Sequence, residues 1–427
     1  MLEGLLSACR AIASLAALAL ASGCSAAPPP TRGGAAAEPP AGDDQASGST
    51  VPPGAEPGGA RGDAASLDGP LAVVAIDAQA TFFDTAHARN PKLDVAAVQA
   101  TTARVFALAA AHAIPLFVTF EASTTGDHAL PPALASALPP SARTFVKTTF
   151  DATGQPDFLA AIRASGAKRV VVLGAETDVC VMQSSLGLRR AGFDVITLHD
   201  ALFTEEVHTS PALRRMRQAG IVDLPMSDVE PLLAAGGGAS PAPAETHAAT
   251  TVRPFQIGVV LHDLEGLGAA DPNASPKTVR LRQLLLVTEW FGLPVFADDP
   301  ASALAALPAD ARAVVERPLL ALASRPASVT QLALAGGRDG IGALAATLAS
   351  GGVADVFVLD DVLVGTADLA PLYARGAMPS TYKSLYYELI HSVDDSQWPS
   401  QEWVTRGASY YYDATMAPES LPPLAGP

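Results

Sequence analysis

The chain has 427 residues, with 43 acidic against 27 basic side chains, a formal charge of −16, 49% hydrophobic residues and three cysteines. Such an acidic balance argues against nucleic acid or an anionic membrane surface as a partner, because both require a basic footprint. The length allows two or three domains and an ample core.

Taken in chain order, residues 1–24 read as a targeting segment to be set aside before any reasoning about fold. Arg10 precedes an apolar stretch from Ala11 to Ala21, too short to span a bilayer comfortably. It ends in Leu20-Ala-Ser-Gly-Cys24, which resembles a bacterial lipobox whose cysteine is lipidated after cleavage. A plain signal peptide cut near Ala26 or Ala27 is the alternative. The expectation is a protein of the cell envelope, held at the membrane by a lipid on Cys24. Residues 25–69 are Ala, Pro, Gly, Ser and Asp with almost no large apolar side chain. They cannot offset their ordering entropy and are expected to form a disordered tether. With Cys9 in the targeting segment and Cys24 modified, Cys180 has no partner for an intramolecular disulfide.

Residues 70–233 alternate short apolar runs with helical patterns. The runs Leu71–Ile76, Pro115–Phe120, Thr144–Lys147, Arg169–Gly174 and Phe193–Leu198 read as strands. Helical periodicity covers Val95–His112, Pro156–Ser165, Asp178–Ala191 and Pro211–Ala219. Strands alternating with helices predict an α/β fold, a doubly wound, mostly parallel sheet with helices on both faces. Two of these strands end on charge, at Asp77 and Lys147, and a third is followed by Cys180. In a parallel sheet all three meet at the carboxyl edge, where such folds bind ligands. Cys180 is read as opening a helix, which aims the positive end of the macrodipole at the sulfur and favours the thiolate.

Three motifs carry a family resemblance: Val74-Ala-Ile-Asp77-Ala-Gln79-Ala-Thr-Phe82-Phe, Val146-Lys147-Thr-Thr-Phe150-Asp151-Ala, and Gly174-Ala-Glu-Thr177-Asp178-Val-Cys180-Val. In this order and spacing they resemble the isochorismatase-like cysteine hydrolases, over about Leu71 to Met226. The resemblance implies a catalytic triad of Asp77 as base, Lys147 as its electrostatic partner and Cys180 as nucleophile. It also implies a cis peptide between Ala175 and Glu176, with an oxyanion hole made by the backbone N–H groups of Glu176 and Cys180. Gln79, Phe82, Phe150 and Gln183 are candidate pocket residues, with ordinary core packing as the other reading for the two phenylalanines. The chemistry implied is attack on the amide-type C–N bond of a small molecule through a thioester. The metal-binding Asp-x-His pair of nicotinamidases is not matched by Glu121-Ala-Ser-Thr-Thr-Gly-Asp127-His128, so neither a metal nor another cofactor is expected. A non-catalytic envelope binding or scaffold protein that keeps the fold is the competing reading.

Residues 234–251 read as a linker of Gly, Ala, Pro and Thr, after which the pattern restarts over 252–393. Gln256-Ile-Gly-Val-Val-Leu-His-Asp263 echoes the strand ending at Asp77, and Pro294-Val-Phe-Ala echoes Pro115-Leu-Phe-Val. An ungapped shift of 161 residues lays Leu173, Asp178, Asp194, Val195, Leu198, Asp200 and Leu202 on identical residues at 334, 339, 355, 356, 359, 361 and 363. A degenerate second copy is expected, with Ile341 in the place of Cys180 and Val315-Glu316-Arg317-Pro318 in the lysine region. It is expected to pack on the first copy as an intramolecular pseudo-dimer, with a homo-oligomer as a further option. Residues 394–427 form a tail with Trp398, Trp403 and Tyr410-Tyr-Tyr412 that has no counterpart in the first copy.

Overall fold

The structure is a computed structural model that describes residues 68–390, apart from 91, 123–127, 207, 238, 245 and 265–273. Cys24, the tether, Asp127 and the aromatic tail lie outside the described residues. The first half runs β1 (Leu71–Ile76), α1 (Ala80–Arg89), α2 (Val95–Ala111), β2 (Leu116–Glu121), α3 (Pro132–Ala137), β3 (Arg143–Lys147), α4 (Pro156–Ala164) and β4 (Arg169–Gly174). A π turn over Thr177–Val181 then leads into α5 (Met182–Arg190), followed by β5 (Asp194–Leu202), α6 (Ser210–Gln218), β6 (Val222–Leu224) and α7 (Met226–Ala234). The sheet order is β3-β2-β1-β4-β5-β6 with every pairing parallel. Central strands β1 and β4 are buried along their whole length, which is why they read as unbroken apolar runs rather than as alternation.

The second half repeats this plan. It runs β7 (Ile257–His262), α8 (Ala274–Phe291), β8 (Val295–Ala297), α9 (Pro300–Ala306), α10 (Ala309–Arg312), β9 (Leu320–Ala321), β10 (Gln331–Gly337), α11 (Ile341–Ser350), β11 (Asp355–Val364), α12 (Ala370–Tyr373), β12 (Met378–Ser380) and α13 (Tyr382–Ile390). The order β9-β8-β7-β10-β11-β12 is the order of the first sheet. Two details recur with it. Asp77 and Asp263, each directly after the first strand of its sheet, have φ of 45° and 44°, a region that residues other than glycine seldom occupy. Gly174 and Gly336 have φ of 114° and 118°, and a Cβ on either would stand 1.9 Å from the carbonyl oxygen of Ile76 or His262. The neighbouring backbone therefore admits only glycine at both places.

Strand pairing corrects the 161-residue shift. Leu71 pairs with Arg169 and Ile257 with Gln331, so Leu173 corresponds to Ala335 and not to Leu334. On the next strand Arg169 pairs with Asp194 and Gln331 with Asp355, so the five identities on β5 stay in register. The strand-to-helix connection is longer in the first half. Phe193 N–H donates to Leu188 O, and Val353 N–H to Leu348 O. Counting back along the helix from these matching bonds puts Gly340, not Ile341, opposite Cys180.

The halves do not associate as a symmetric pair. Ala72, Val74 and Ile76 of β1 belong to the hydrophobic cluster shared by both halves, together with Ile257, Val259 and Leu261 of β7. Yet Ile257 corresponds to Leu71, which lies in the cluster on the opposite face of the first sheet. Alternate strand residues point to opposite faces, so the contact joins unlike faces of the two sheets. The expected pseudo-dimer is replaced by head-to-tail packing, a heterologous contact. The first half offers the π turn, α5 and α6; the second offers α8, α13 and the edge strand β12. Arg215 of α6 forms a two-pronged ion pair with Glu388 of α13 at 2.5 and 2.9 Å, with both side chains buried. The described residues between 239 and 251 are tied to the first half: Arg169 donates to Ser240 Oγ, His247 N–H to Gln218 O, and Arg190 to Ala249 O.

Candidate active site

Three strand ends build the site at the carboxyl edge of the first sheet. Asp77 follows β1, Glu121 ends β2, and Lys147 ends β3 and pairs with Glu121 in register. Cys180 sits in the π turn after β4, so the site straddles the point where the strand order reverses, the usual ligand crevice of such sheets. Lys147 Nζ lies 2.6 Å from Asp77 Oδ2, 3.4 Å from Cys180 Sγ and 3.8 Å from Glu121 Oε2. The Cys180 thiol donates to Glu121 Oε2 at 3.5 Å. Thr119 Oγ1 donates to Asp77 Oδ1 at 2.9 Å and fixes the carboxylate from behind. Asp77 and Lys147 have no exposed surface and Cys180 is 2% exposed. Oxygen and sulfur atoms of Asp77, Glu121 and Cys180 lie within 4.8 Å of one another, a spacing suited to a cation. The Lys147 ammonium already stands among them and supplies that charge.

Electrostatics modify the expectation for the nucleophile. Burial pushes the Cys180 thiol well above its ordinary value; Lys147 opposes this, while Asp77, Glu121 and Glu176 add to it. The helix-end argument for a resting thiolate is therefore overturned, because desolvation of the charged form outweighs it. The thiol is held protonated until an acceptor takes its proton. Burial likewise acts against charge on Lys147, but the Coulombic pull of Asp77, Cys180 and Glu121 holds its pKa far above the ordinary lysine range. Glu121 is raised first by burial, with Lys147 pulling it down.

The peptide between Ala175 and Glu176 is cis. Ala175 N–H donates to Ile76 O and Thr177 N–H to Phe203 O. Among the described residues the N–H of Glu176 makes no such bond, which leaves it available to an incoming oxyanion. Of the candidate pocket residues, Gln79 exchanges two hydrogen bonds with the Glu121 backbone, at 2.6 and 3.4 Å, and so fastens β2 to β1. Phe150 is buried in the shared core with its ring edge-on to Tyr387 of the second half at 4.9 Å. Phe82 is partly buried against the cluster on the far face of the first sheet. Gln183 is buried with its Nε2 unpaired among the described residues. Only Asp77, Lys147 and Cys180 thus converge; the four pocket candidates are spread over core and strand ends. The sequence reading passed over Glu121, although it ends a strand on charge just as Asp77 and Lys147 do.

Residues 71–224 match the family model described as Isochorismatase domain. A curated relative, "Probable hydrolase YcaC" of Escherichia coli (strain K12), is 31% identical over 108 residues, 25% of this chain and 52% of that protein. The chain thus spans about half the length of the curated relative it matches. Among solved structures, the YcaC gene product of Escherichia coli, described as an octameric hydrolase of unknown specificity, is 26% identical over 36% of this chain and 75% of that one, with a TM-score of 0.33. YcaC from Pseudomonas aeruginosa with hexane-2,5-diol and covalent acrylamide is 25% identical over 38% and 78%, with a TM-score of 0.32. Strand order and family match agree over residues 71–224, the segment of this α/β chain that is similar to an isochorismatase domain.

Proposed function

We propose that the first half is a cysteine-dependent hydrolase acting on an amide-type C–N bond of a small molecule. The observation that carries this reading is the buried Lys147 ammonium, 2.6 Å from Asp77 and 3.4 Å from Cys180. Neither a structural ion pair nor a core cysteine accounts for a thiol placed against that pair at a ligand-binding sheet edge. In the proposed reaction Cys180 Sγ bonds to the substrate carbonyl carbon as its proton passes to a carboxylate. Asp77 is the acceptor that the motif resemblance implies, and Glu121 is a second one in contact with the thiol. The carbonyl oxygen takes the negative charge, facing the N–H groups of Glu176 and Cys180. Collapse of this adduct breaks the C–N bond, and the leaving nitrogen takes the stored proton. Water, losing a proton to Asp77, then attacks the thioester; the acid departs and the thiol is restored. Lys147 offsets the charge that moves between carboxylate and sulfur.

The relative described as a probable hydrolase supports the hydrolase reading. The 2% exposure of Cys180 favours the second reading, a non-catalytic binding or scaffold protein. An ammonia-release screen over small amides separates the two. Turnover by the wild type that is abolished in Cys180→Ala supports the enzyme. Turnover that survives Cys180→Ala sinks the cysteine mechanism. The lipid anchor on Cys24 is part of the same proposal and rests on sequence alone; mass spectrometry of the membrane fraction tests it, and an unmodified Cys24 removes it.

A further inference from the structure

The second half sends one cation into the turn that carries the nucleophile. Lys383, on α13, is 2% exposed, and its Nζ lies 3.0 Å from Glu176 Oε2, 3.5 Å from Asp178 Oδ2 and 3.5 Å from Glu205 Oε1. Beside it, Ser384 Oγ donates to the backbone oxygen of Asp178 at 2.9 Å. Glu176 and Asp178 bracket the stretch between the cis peptide and Cys180. A lysine and a serine from more than 200 residues downstream therefore grip this turn by side chains and by main chain.

We propose that Lys383 is a positioning residue for Cys180, through which the catalytically silent second half holds the nucleophile turn of the first half in place. This deepens the hydrolase reading above and rests on it.

The charge balance shows why the turn depends on an outside cation. Around Lys383 the described carboxylates are Glu176 and Asp178 of the turn, with Glu205 and Glu206 after β5. The facing cations are Arg89 of α1, 3.0 Å from Glu205, and Arg280 of α8, 3.0 Å from Glu206. Arg280 also faces Asp361, at 3.9 Å. The two carboxylates on the turn thus have Lys383 as their ion-pair partner. Without it they would lie buried and side by side, and like charges in a low-dielectric space separate or take up protons. Separation moves the backbone between Gly174 and Cys180, on which the 3.4 Å approach of Cys180 Sγ to Lys147 depends, and proton uptake changes the charge beside the nucleophile. Burial, opposed by Lys383 and reinforced by Glu205 and Asp178, pushes Glu176 up to about 8.

The test uses the full chain and needs no known substrate. Iodoacetamide is a small amide whose alkylation of Cys180 is read on the peptide that carries it, apart from Cys9 and Cys24, and its rate is followed against concentration and pH. Wild type should show saturable alkylation faster than free cysteine. Lys383→Met should lower the limiting rate about tenfold or more, the scale on which displaced reacting groups lose efficiency, and should move the pH profile toward that of free cysteine. Lys383→Arg should restore both, and Lys383→Met with Glu176→Gln should restore part, since it removes one of the two acidic groups left without their cation. These two variants also decide the matter if Lys383→Met does not fold. A Lys383→Met protein with wild-type rate and pH profile overturns the proposal. So does a folded Lys383→Arg protein as slow as Lys383→Met. Wild-type Cys180 reacting no faster than free cysteine removes the hydrolase reading itself, and the positioning role with it.

Discussion

Replacing Arg215 by methionine tests how the two halves are held together. Its guanidinium is 2% exposed, makes two hydrogen bonds to Glu388, donates to Thr250 O at 2.8 Å and lies 5.0 Å from the centre of the Phe357 ring. Glu388 is 1% exposed and also accepts from Val252 N–H at 2.9 Å. Methionine fills much of the aliphatic volume but strands a buried carboxylate, and breaking a buried pair from one side costs about 3–5 kcal/mol. Adding Glu388→Gln removes the stranded charge and keeps an acceptor for Val252. The double variant should then lose about 1–2 kcal/mol, the scale of the hydrogen bonds no longer made. Urea unfolding followed by tryptophan fluorescence and far-ultraviolet circular dichroism measures both. A single variant that loses less than about 1 kcal/mol, or a double no more stable than the single, would refute the reasoning.

Three further outcomes are expected. Gly174→Ala should be severely destabilising, because its Cβ would meet Ile76 O at 1.9 Å. Gly166→Ala, with φ of 77° and open space around it, should cost only about 1 kcal/mol; equal melting temperatures for the two would contradict this. Glu176 has its folded pKa raised from 4.5 to about 8, so between those values the native state holds more protons than the unfolded one. Its contribution to stability is complete below pH 4.5 and is lost as pH rises through about 8. Glu176→Gln should flatten that decline in a pH series of urea midpoints, and an unchanged slope tells against it. If Glu121 accepts the thiol proton, Cys180 alkylation should rise with pH as Glu121 loses its own proton. Glu121→Gln should erase that limb, and a profile identical to wild type assigns the proton to Asp77 alone.

Much of the first half was legible because its strands are apolar runs that stop abruptly. β1 and β4 carry the bounds expected of them, and the other expected strands agree within a few residues. Missed were β6, only three residues long, the helices α3 and α7, and α1, where Ala80-Thr-Phe-Phe reads as motif rather than helix. Asp77 and Lys147 could be picked out because each is the first charged group after an apolar run, and Cys180 because it lies in the motif that follows β4. Glu121 satisfies the same rule but enters the sequence reading only as the first residue of a segment that lacks an Asp-x-His pair. The protonation of Cys180 was not legible, because it follows from burial by the whole fold rather than from position along a helix. Lys383 was beyond local reasoning, since its partners are brought to it by packing of unlike sheet faces. The 161-residue shift worked on β5 and failed on β4 because the two copies differ in length between strand and helix.

A symmetric dimer must use every surface position twice, so a substitution that helps one subunit is imposed on the other. Head-to-tail packing lifts that restriction. By strand register Lys383 corresponds to Ser227, which is exposed at the start of α7. One helix position thus meets water in the first half and a buried carboxylate cluster in the second. Each copy could change there without consequence for its twin. Division of labour between two similar halves, one holding the reactive sulfur and the other the charge that steadies it, follows from a contact geometry that never required them to stay alike.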